Sequence, residues 1–328
     1  MLSPVLVFGS GIHHQWLCDQ DIVNHQVSAH AEALRSWSDL LRQVAERLKI
    51  LHAIDEELSD EMPTLQWERM VLAYCDRRDK KLRAYVSERV LRKTLCETLL
   101  EAEREVETAV DFGKVLELRE VLGRHTISLN LDSLLWRERP GMIRVSAGVS
   151  RHLALPYEGG TVWFPHGSVL RPASATLGLR AYGRLAPSWE NMIKAHKVWG
   201  RKLIPQKDQN WSRTTFTQVM DGAAQIKSET SGSLAAHLML APLMIFGGGV
   251  RREEWGIWWL LNQRARNLAR VPEHLRPPTV IVIKNCDARL PFWVTRPANV
   301  SPIIVNQWQD AWSRLTEWMG THKELARN

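Results

Sequence analysis

Cysteine is sparse and poorly spaced for structural work: Cys18, Cys75, Cys96 and Cys286 lie far apart, with no Cys-x-x-Cys pair. That spacing argues against a zinc ribbon, and a disulfide framework does not suit a chain of 328 residues. The four thiols read as buried or incidental. Long apolar runs are missing as well. No stretch of about 18 apolar residues is free of charge. The nearest, 234–250, contains His237, Pro242 and three glycines, and reads as a buried strand rather than a membrane span. The opening Met1-Leu2-Ser3-Pro4 lacks a basic segment, and nothing after it resembles a cleavage site. A soluble, cytoplasmic protein with no membrane partner is expected. Internal repeats and low-complexity tracts are also absent.

Charge is plentiful but nowhere massed. Lys and Arg number 43 against 36 Asp and Glu, a formal charge of +7 with a pI near 9.4. This balance suits an anionic partner, either nucleic acid or a dinucleotide, yet the cations are spread along the chain rather than gathered in one arm. Composition is otherwise ordinary for a globular protein, at 45% hydrophobic and 24% charged, and the length allows one large domain or two small ones. Fifteen Trp stand against six Phe and four Tyr, an excess that points only to core and interface packing.

The stretch around which the chain is organised runs from His125 to Trp136. Ile127 and Leu129 with Thr126 and Ser128 predict a short buried strand, and Asn130 and Asp132 stand where it ends. Leu134, Leu135 and Trp136 predict the opening of a helix. In an open parallel α/β sheet, ligands sit at the carboxyl ends of strands, so an Asn-x-Asp pair there is placed for a ligand. Helix capping is an equal account, because both residues are favoured N-caps.

Other strand ends carry similar signals. Val5-Leu6-Val7-Phe8 is followed at once by Gly9-Ser10-Gly11, the way a nucleotide-binding turn begins, although the third glycine of that motif falls on His14. On its own a tight turn is the simpler account. His13, His14 and His25 have no carboxylate or cysteine at ligand spacing and read as solvated loop residues, so no metal is expected. Val162 to Phe164 predicts a strand ending in His166-Gly167. A histidine there suits proton transfer near neutral pH, though a lone histidine is more often structural. Leu238 to Phe246 predicts a central parallel strand ending in Gly247-Gly248-Gly249. Thr279–Ile283 and Pro302–Val305 predict two more strands, and Gln307–Met319 a terminal helix. A shared cleft at Gly9, Asn130, His166 and Gly247 is the economical arrangement.

Helices are predicted over 33–52, with Leu34, Trp37, Leu40, Leu41, Val44, Leu48 and Leu51 on one stripe, and near Thr64–Cys75 and Leu82–Val110. The last of these is expected to turn Leu82, Tyr85, Val86, Val90 and Leu95 inward. Together they predict a helical insertion between the first strand and the Asn130 strand, longer than a plain crossover needs. Residues 137–158 read as irregular, a helix is expected around Trp189–Leu203, and the polar Gln206–Ser233 stretch reads as a loop, a lid or a partner-binding segment. Another helix is expected after Arg251-Arg252-Glu253-Glu254, with an apolar face from Trp255, Trp258, Trp259 and Leu260 or Leu261.

Phe8-Gly9-Ser10-Gly11, Asn130-x-Asp132, Phe164-Pro165-His166-Gly167-Ser168 and Gly247-Gly248 with Glu254 occur in the order seen in sirtuin-like domains. The chain resembles the sirtuin-like proteins of bacterial phage-defence systems more than the deacetylase sirtuins. Leu177-Gly178-Leu179-x-x-Tyr182-Gly183 and Glu254-x-x-x-Trp258-Trp259-x-Leu261 resemble stretches of the same bacterial group. The resemblance spans Val5 to Met319. It implies a single Rossmann-like NAD-binding domain over 1–328, an α/β parallel sheet with a helical insertion of about 33–122. It implies NAD as substrate, with Gly9, Ser10 and Gly11 cradling phosphates, and Gly167, Ser168, Gly247, Gly248 and Glu254 also at the nucleotide. Asn130 and Asp132 would orient the nicotinamide riboside, and His166 would take a proton.

Three positions depart from the pattern: Gly-Ser-Gly replaces Gly-Ala-Gly, Leu129 replaces a polar residue, and Gly256 stands where the bacterial group often has an acid. The cysteine pairs that hold the deacetylases' structural zinc are absent, so the resemblance implies no zinc and favours NAD hydrolysis, within antiphage defence, over deacylation. It further implies control by homo-oligomerisation or a separate regulatory partner protein, with nucleic acid contacted only indirectly. The alternatives are a catalytically silent nucleotide-binding scaffold subunit and, ranked after it, an NAD-dependent deacylase.

Overall fold

β1 (Val5–Phe8) is buried along its whole length and lies in the middle of the main sheet, which an apolar run of four residues requires. The computed structural model describes residues 2–9, 33–34, 36–77, 84–109, 125–134, 143–147, 150–157, 160–198, 201–202, 212–227, 230–246, 255–284 and 299–306, with 310–311, 313–314, 316–318 and 321 beyond them. The later strands are β2 (His125–Ser128), β3 (Ile143–Ala147), β4 (Ser150–Tyr157), β5 (Gly160–Phe164), β6 (Lys197–Val198), β7 (Arg201–Lys202), β8 (Leu243–Phe246), β9 (Thr279–Lys284) and β10 (Ser301–Val305). Among the described residues β6 and β7 pair only with each other. The other eight form one sheet in the order β10-β9-β8-β1-β2-β5-β4-β3.

From β10 to β5 every neighbouring pair is parallel, and β5-β4-β3 is an antiparallel meander. Counting only the six parallel strands in chain order, the sheet reads 6-5-4-1-2-3. This is the strand order of the doubly wound dinucleotide-binding fold, whose direction of winding reverses between its first and fourth strands. Here that reversal falls between β1 and β8.

Side chains alternate across the sheet as a pleated strand dictates. Leu6, Phe8, Val162, Phe164, Met244, Phe246, Val280 and Val282 face one core, and Val5, Val7, Ile127, Trp163, Leu243, Ile245, Ile281 and Ile283 face the other. The first core is closed by α1 (Trp37–Arg47), α3 (Pro63–Arg77) and α4 (Ala84–Ala109), all from the insertion, with the short α2 (Glu56–Glu61) between them. Ser36 caps α1 by accepting from the Asp39 N–H, Asp55 caps α2 through the Leu58 N–H at 3.0 Å, and Pro63 opens α3 at the one position where its missing N–H costs nothing. The second core is closed by α6 (Leu185–Ala195), reached through α5 (Gly178–Gly183), and by α7 (Arg213–Ala224), α8 (Ser231–Leu240) and α9 (Trp255–Leu268).

Several expectations need correction. Residues 137–158 contain β3, whose Ile143, Val145 and Ala147 alternate with Arg144 and Ser146 at period two, and β4, which pairs between β3 and β5. The Gln206–Ser233 stretch holds α7, with Phe216, Val219, Met220 and Ala223 forming a narrow buried stripe between polar neighbours. The run Leu238–Phe246 is not one strand: α8 extends to Leu240, and β8 begins only after Pro242. A buried helix and a buried strand are equally apolar, so the run hides the boundary. The helix expected over Trp189–Leu203 runs from Leu185 to Ala195. Leu51 is exposed and lies beyond α1 in a 3₁₀ turn. In α4, Tyr85 is 71% exposed and Val86 is also exposed, while Ser87, Leu91, Leu95, Leu99, Ala102 and Val106 turn inward. Tyr85 and Val86 lie roughly 120–140° around the helix from Leu91. Leu82 and the helix opening at Leu135 and Trp136 lie outside the described residues, and the described parts of 310–318 are helical. Cys96 is buried, with its thiol pushed up to about 12 by burial, and the Cys75 thiol donates to Ser87 Oγ at 3.0 Å. Among the described residues no helix is long and apolar enough to cross a membrane.

Two buried polar groups tie the second core together. Arg264 of α9 is 1% exposed, and its guanidinium donates to Leu238 O, Ala241 O, Pro277 O, Pro278 O and Thr279 Oγ1. Burial lowers its pKa. A cation at the end of α8 is also where that helix leaves carbonyls without intrahelical partners. His237 of α8 packs its ring 4.0 Å from that of His125 and 5.4 Å from Trp163, centroid to centroid. Its Nδ1 lies 2.8 Å from the Ser233 carbonyl, which can only accept, so Nδ1 carries the proton.

Burial pushes the His237 imidazole down from 6.5 to about 4. The unfolded chain therefore binds a proton between those values that the folded chain does not, and stability falls as pH drops through 6.5, with the loss complete below about 4. From pH 7 to pH 5 this group alone removes on the order of 2 kcal/mol. Urea unfolding across that range is expected to show a smaller pH dependence for His237→Leu than for wild type. Parallel curves for the two proteins would contradict this account of His237.

Candidate functional site

The strand ends flagged in the sequence belong to neighbouring strands. β8, β1, β2 and β5 are consecutive in the sheet and parallel, so their carboxyl ends share one edge. Backbone bonds continue past the strands themselves. The Gly9 N–H donates to Phe246 O at 3.0 Å, and the Leu129 N–H to Phe8 O at 2.9 Å. Further out, the Val169 N–H donates to Leu131 O at 2.8 Å, joining the loop after β2 to the loop after β5.

The loop after β2 carries Asn130 and Asp132. Asn130 is half-buried, and Asp132 is buried at 8% exposure. Asp132 Oδ1 accepts from the Leu134 N–H at 3.3 Å, which is the capping arrangement that the sequence allows beside a ligand role. Leu129 is partly buried and packs against the second core. Leu131 and Leu134 enter the first core, under the insertion.

The loop after β5 carries His166, Gly167 and Ser168, all buried. The His166 ring lies 5.1 Å from that of Tyr182 on α5. Gly167 has φ +89°, and a Cβ there would meet Ser174 O at 2.3 Å. The loop folds back on itself at this point: the Thr176 N–H donates to His166 O at 2.7 Å, and the Ser168 N–H to Ser174 Oγ at 3.0 Å. Ser168 Oγ accepts from the Leu170 N–H at 3.3 Å. Beyond it Val169, Ala175 and Leu177 join the same first core as Leu131 and Leu134, so the segments bearing Asp132 and His166 pack on one side of the sheet.

The insertion grips both loops. Glu103 of α4 binds Ser133, the residue after Asp132, through both its oxygens. Glu68 of α3 accepts the Leu179 N–H at 2.9 Å at the start of α5. Gly178, with φ +77°, permits that approach: a Cβ would lie 2.5 Å from Glu68 Oε1 and 2.8 Å from Trp67 Cδ1. Trp37, Trp67 and Tyr182 line an aromatic crevice beside the His166–Tyr182 contact, between α1, α3 and α5. Neither glutamate stood out in the sequence, since each lies in a charged helix and its partner is remote. The one available signal was that Glu103 sits at an inward position of α4, between Leu99 and Val106.

Ser10, Gly11, Gly247, Gly248 and Glu254 lie outside the described residues, as do His13, His14 and His25. Gly256 faces α6, where a Cβ would meet Leu185 Cδ2 at 3.2 Å, so an acidic side chain at that position would point into an apolar helix contact. Among the described residues no cluster of three or more His, Cys, Asp or Glu is arranged as metal ligands would be. No protein-family model matches the chain, and no curated protein matches it.

Backbone geometry at the His166 loop yields a stability prediction. Gly167→Ala is expected to cost at least about 2 kcal/mol, because it combines a positive φ with a backbone clash. Gly183→Ala, whose Cβ meets nothing within 4 Å, is expected to change stability by less than about 1 kcal/mol. Urea midpoints of the two variants measure the contrast, and equal midpoints would remove the strain argument.

Proposed function

We propose that the chain is a sirtuin-like hydrolase that cleaves the nicotinamide–ribose bond of NAD, releasing nicotinamide and ADP-ribose. The observation that carries the reading is the strand order. Winding reverses between β1 and β8, which is where doubly wound sheets take a dinucleotide, and the strand on each side runs directly into glycine in the sequence. The loops with Asn130, Asp132 and His166 follow the next two strands on the same edge. In this reading the Gly9-Ser10-Gly11 turn cradles the diphosphate, Ser10 and Gly11 through backbone N–H groups and Gly9, whose own N–H is held by Phe246 O, through the close approach its missing side chain allows, with Gly247, Gly248 and Glu254 on the adenosine side.

Nicotinamide is cationic in NAD and leaves readily, so the protein's task is orientation, stabilisation of positive charge on the ribose, and delivery of water. Asp132 holds the carboxamide or the ribose. Asn130 positions the water, and His166 accepts its proton, a contribution of roughly 10²–10⁴-fold. Depletion of NAD would harm the host cell, so the activity requires control by self-association or a partner protein, consistent with a role in antiphage defence.

A second reading is favoured by one observation: the Asp132 carboxylate is already used to cap its own turn. A nucleotide-binding scaffold without catalysis needs no more of it than that.

Release of free nicotinamide and ADP-ribose from NAD by the purified chain tests the proposal, alone and with candidate partners. Asn130→Ala and His166→Ala are each expected to lower the rate by about 10²-fold or more while keeping the wild-type circular dichroism spectrum. Unchanged rates in both folded variants would reject these assignments. NAD-dependent stabilisation without any cleavage would favour the scaffold.

A further inference from the structure

Glu103 is the one carboxylate of α4 that is fully buried, at 0% exposure, in a helix whose other acids face outward or lie half-exposed among the described side chains. Burying a carboxylate costs several kcal/mol unless strong bonds compensate it, so its position demands a specific partner. Both of its oxygens bind Ser133. Oε1 accepts the Ser133 backbone N–H at 2.6 Å, and Oε2 accepts the Ser133 hydroxyl at 2.8 Å. Both bonds are of the charge-assisted kind.

The captured residue is adjacent to Asp132. Fixing the Ser133 N–H fixes the Asp132–Ser133 peptide plane, and with it the direction in which Asp132 projects. The same loop is held at Leu131 O by Val169 and turned at Asp132 Oδ1 by the Leu134 N–H. Packing alone does not call for such an arrangement, because an apolar pair of similar size is often as stable as a buried charge. What a bidentate carboxylate adds is direction.

We infer that Glu103 is a positioning residue for Asp132, which makes the helical insertion part of the site's machinery as well as its cover. The catalytic consequence rests on the NAD-cleaving reading above; the positional one does not. In Glu103→Gln the side-chain carbonyl can still accept the Ser133 N–H, and its amide can donate to Ser133 Oγ. Glu103→Ala removes both bonds. Ser133→Ala removes only the hydroxyl bond, and it serves as the second variant should Glu103→Ala not fold.

The test combines amide hydrogen exchange over 129–134 with steady-state NAD cleavage by the full chain. Glu103→Ala is expected to speed exchange at Ser133 by about tenfold or more while leaving β8 and β9 protected. It is expected to lower kcat by about tenfold or more with KM within about threefold, the pattern of lost positioning rather than lost binding. Glu103→Gln is expected to stay within about threefold of wild type in both readouts, and Ser133→Ala to fall between the two. Unchanged exchange at Ser133 in Glu103→Ala would overturn the inference, as would Glu103→Gln matching Glu103→Ala, or Ser133→Ala matching wild type in both readouts. If wild type releases no nicotinamide either alone or with candidate partners, the NAD reading falls, and exchange at Ser133 still decides the role of Glu103.

Discussion

In a parallel ladder every strand points the same way, and the register between β8, β1, β2 and β5 brings their four carboxyl ends to one edge. The loops that follow have no choice of side. Three backbone bonds carry the ladder outward, from Gly9 to Phe246, from Leu129 to Phe8 and from Val169 to Leu131, so the loops begin as extensions of the sheet. Remove that parallel order and the loops bearing Asn130, Asp132 and His166 have no reason to leave the sheet at one edge. The antiparallel meander of β4 and β3 then extends the sheet past β5, with the start of β4 and the end of β3 at this same edge.

The helical insertion supplies the second constraint. Its helices bury an apolar face against the sheet, as any crossover must, but they also send two carboxylates across the interface. Glu103 reaches the loop after β2, and Glu68 reaches the helix after β5. Buried polar contacts of this kind add direction where apolar packing adds only cohesion. On the opposite face the same division of labour recurs. Leu, Ile and Met fill the second core, while Arg264 and His237 fix how α9 and α8 meet the strands.

Continuous or strongly periodic patterns were legible. The first strand, the stripe of α1, the helix from Pro63 and the strand at Thr279 all stand close to where their patterns place them. Patterns that serve two structures were not. Leu238–Phe246 is apolar throughout because a buried helix passes directly into a buried strand. The stripe of α7, from Phe216 to Ala223, covers only about two turns and disappears among polar neighbours. At the site, the sequence marks Gly9, Asn130, Asp132 and His166 by their place at strand ends, but it offers no route to the partners of Glu103 and Glu68, which lie 30 and 111 residues away.

By itself the sequence determined that the chain is α/β, that a helical block separates the first two strands of the parallel set, and that chemically capable residues cluster where strands end. Those are consequences of local pattern, because periodicity and turn chemistry act over a few residues. Strand order, the reversal between β1 and β8 and the capture of Ser133 by Glu103 were decided only in three dimensions. Each depends on which remote surfaces meet, and that choice is made by burying both faces of the sheet at once.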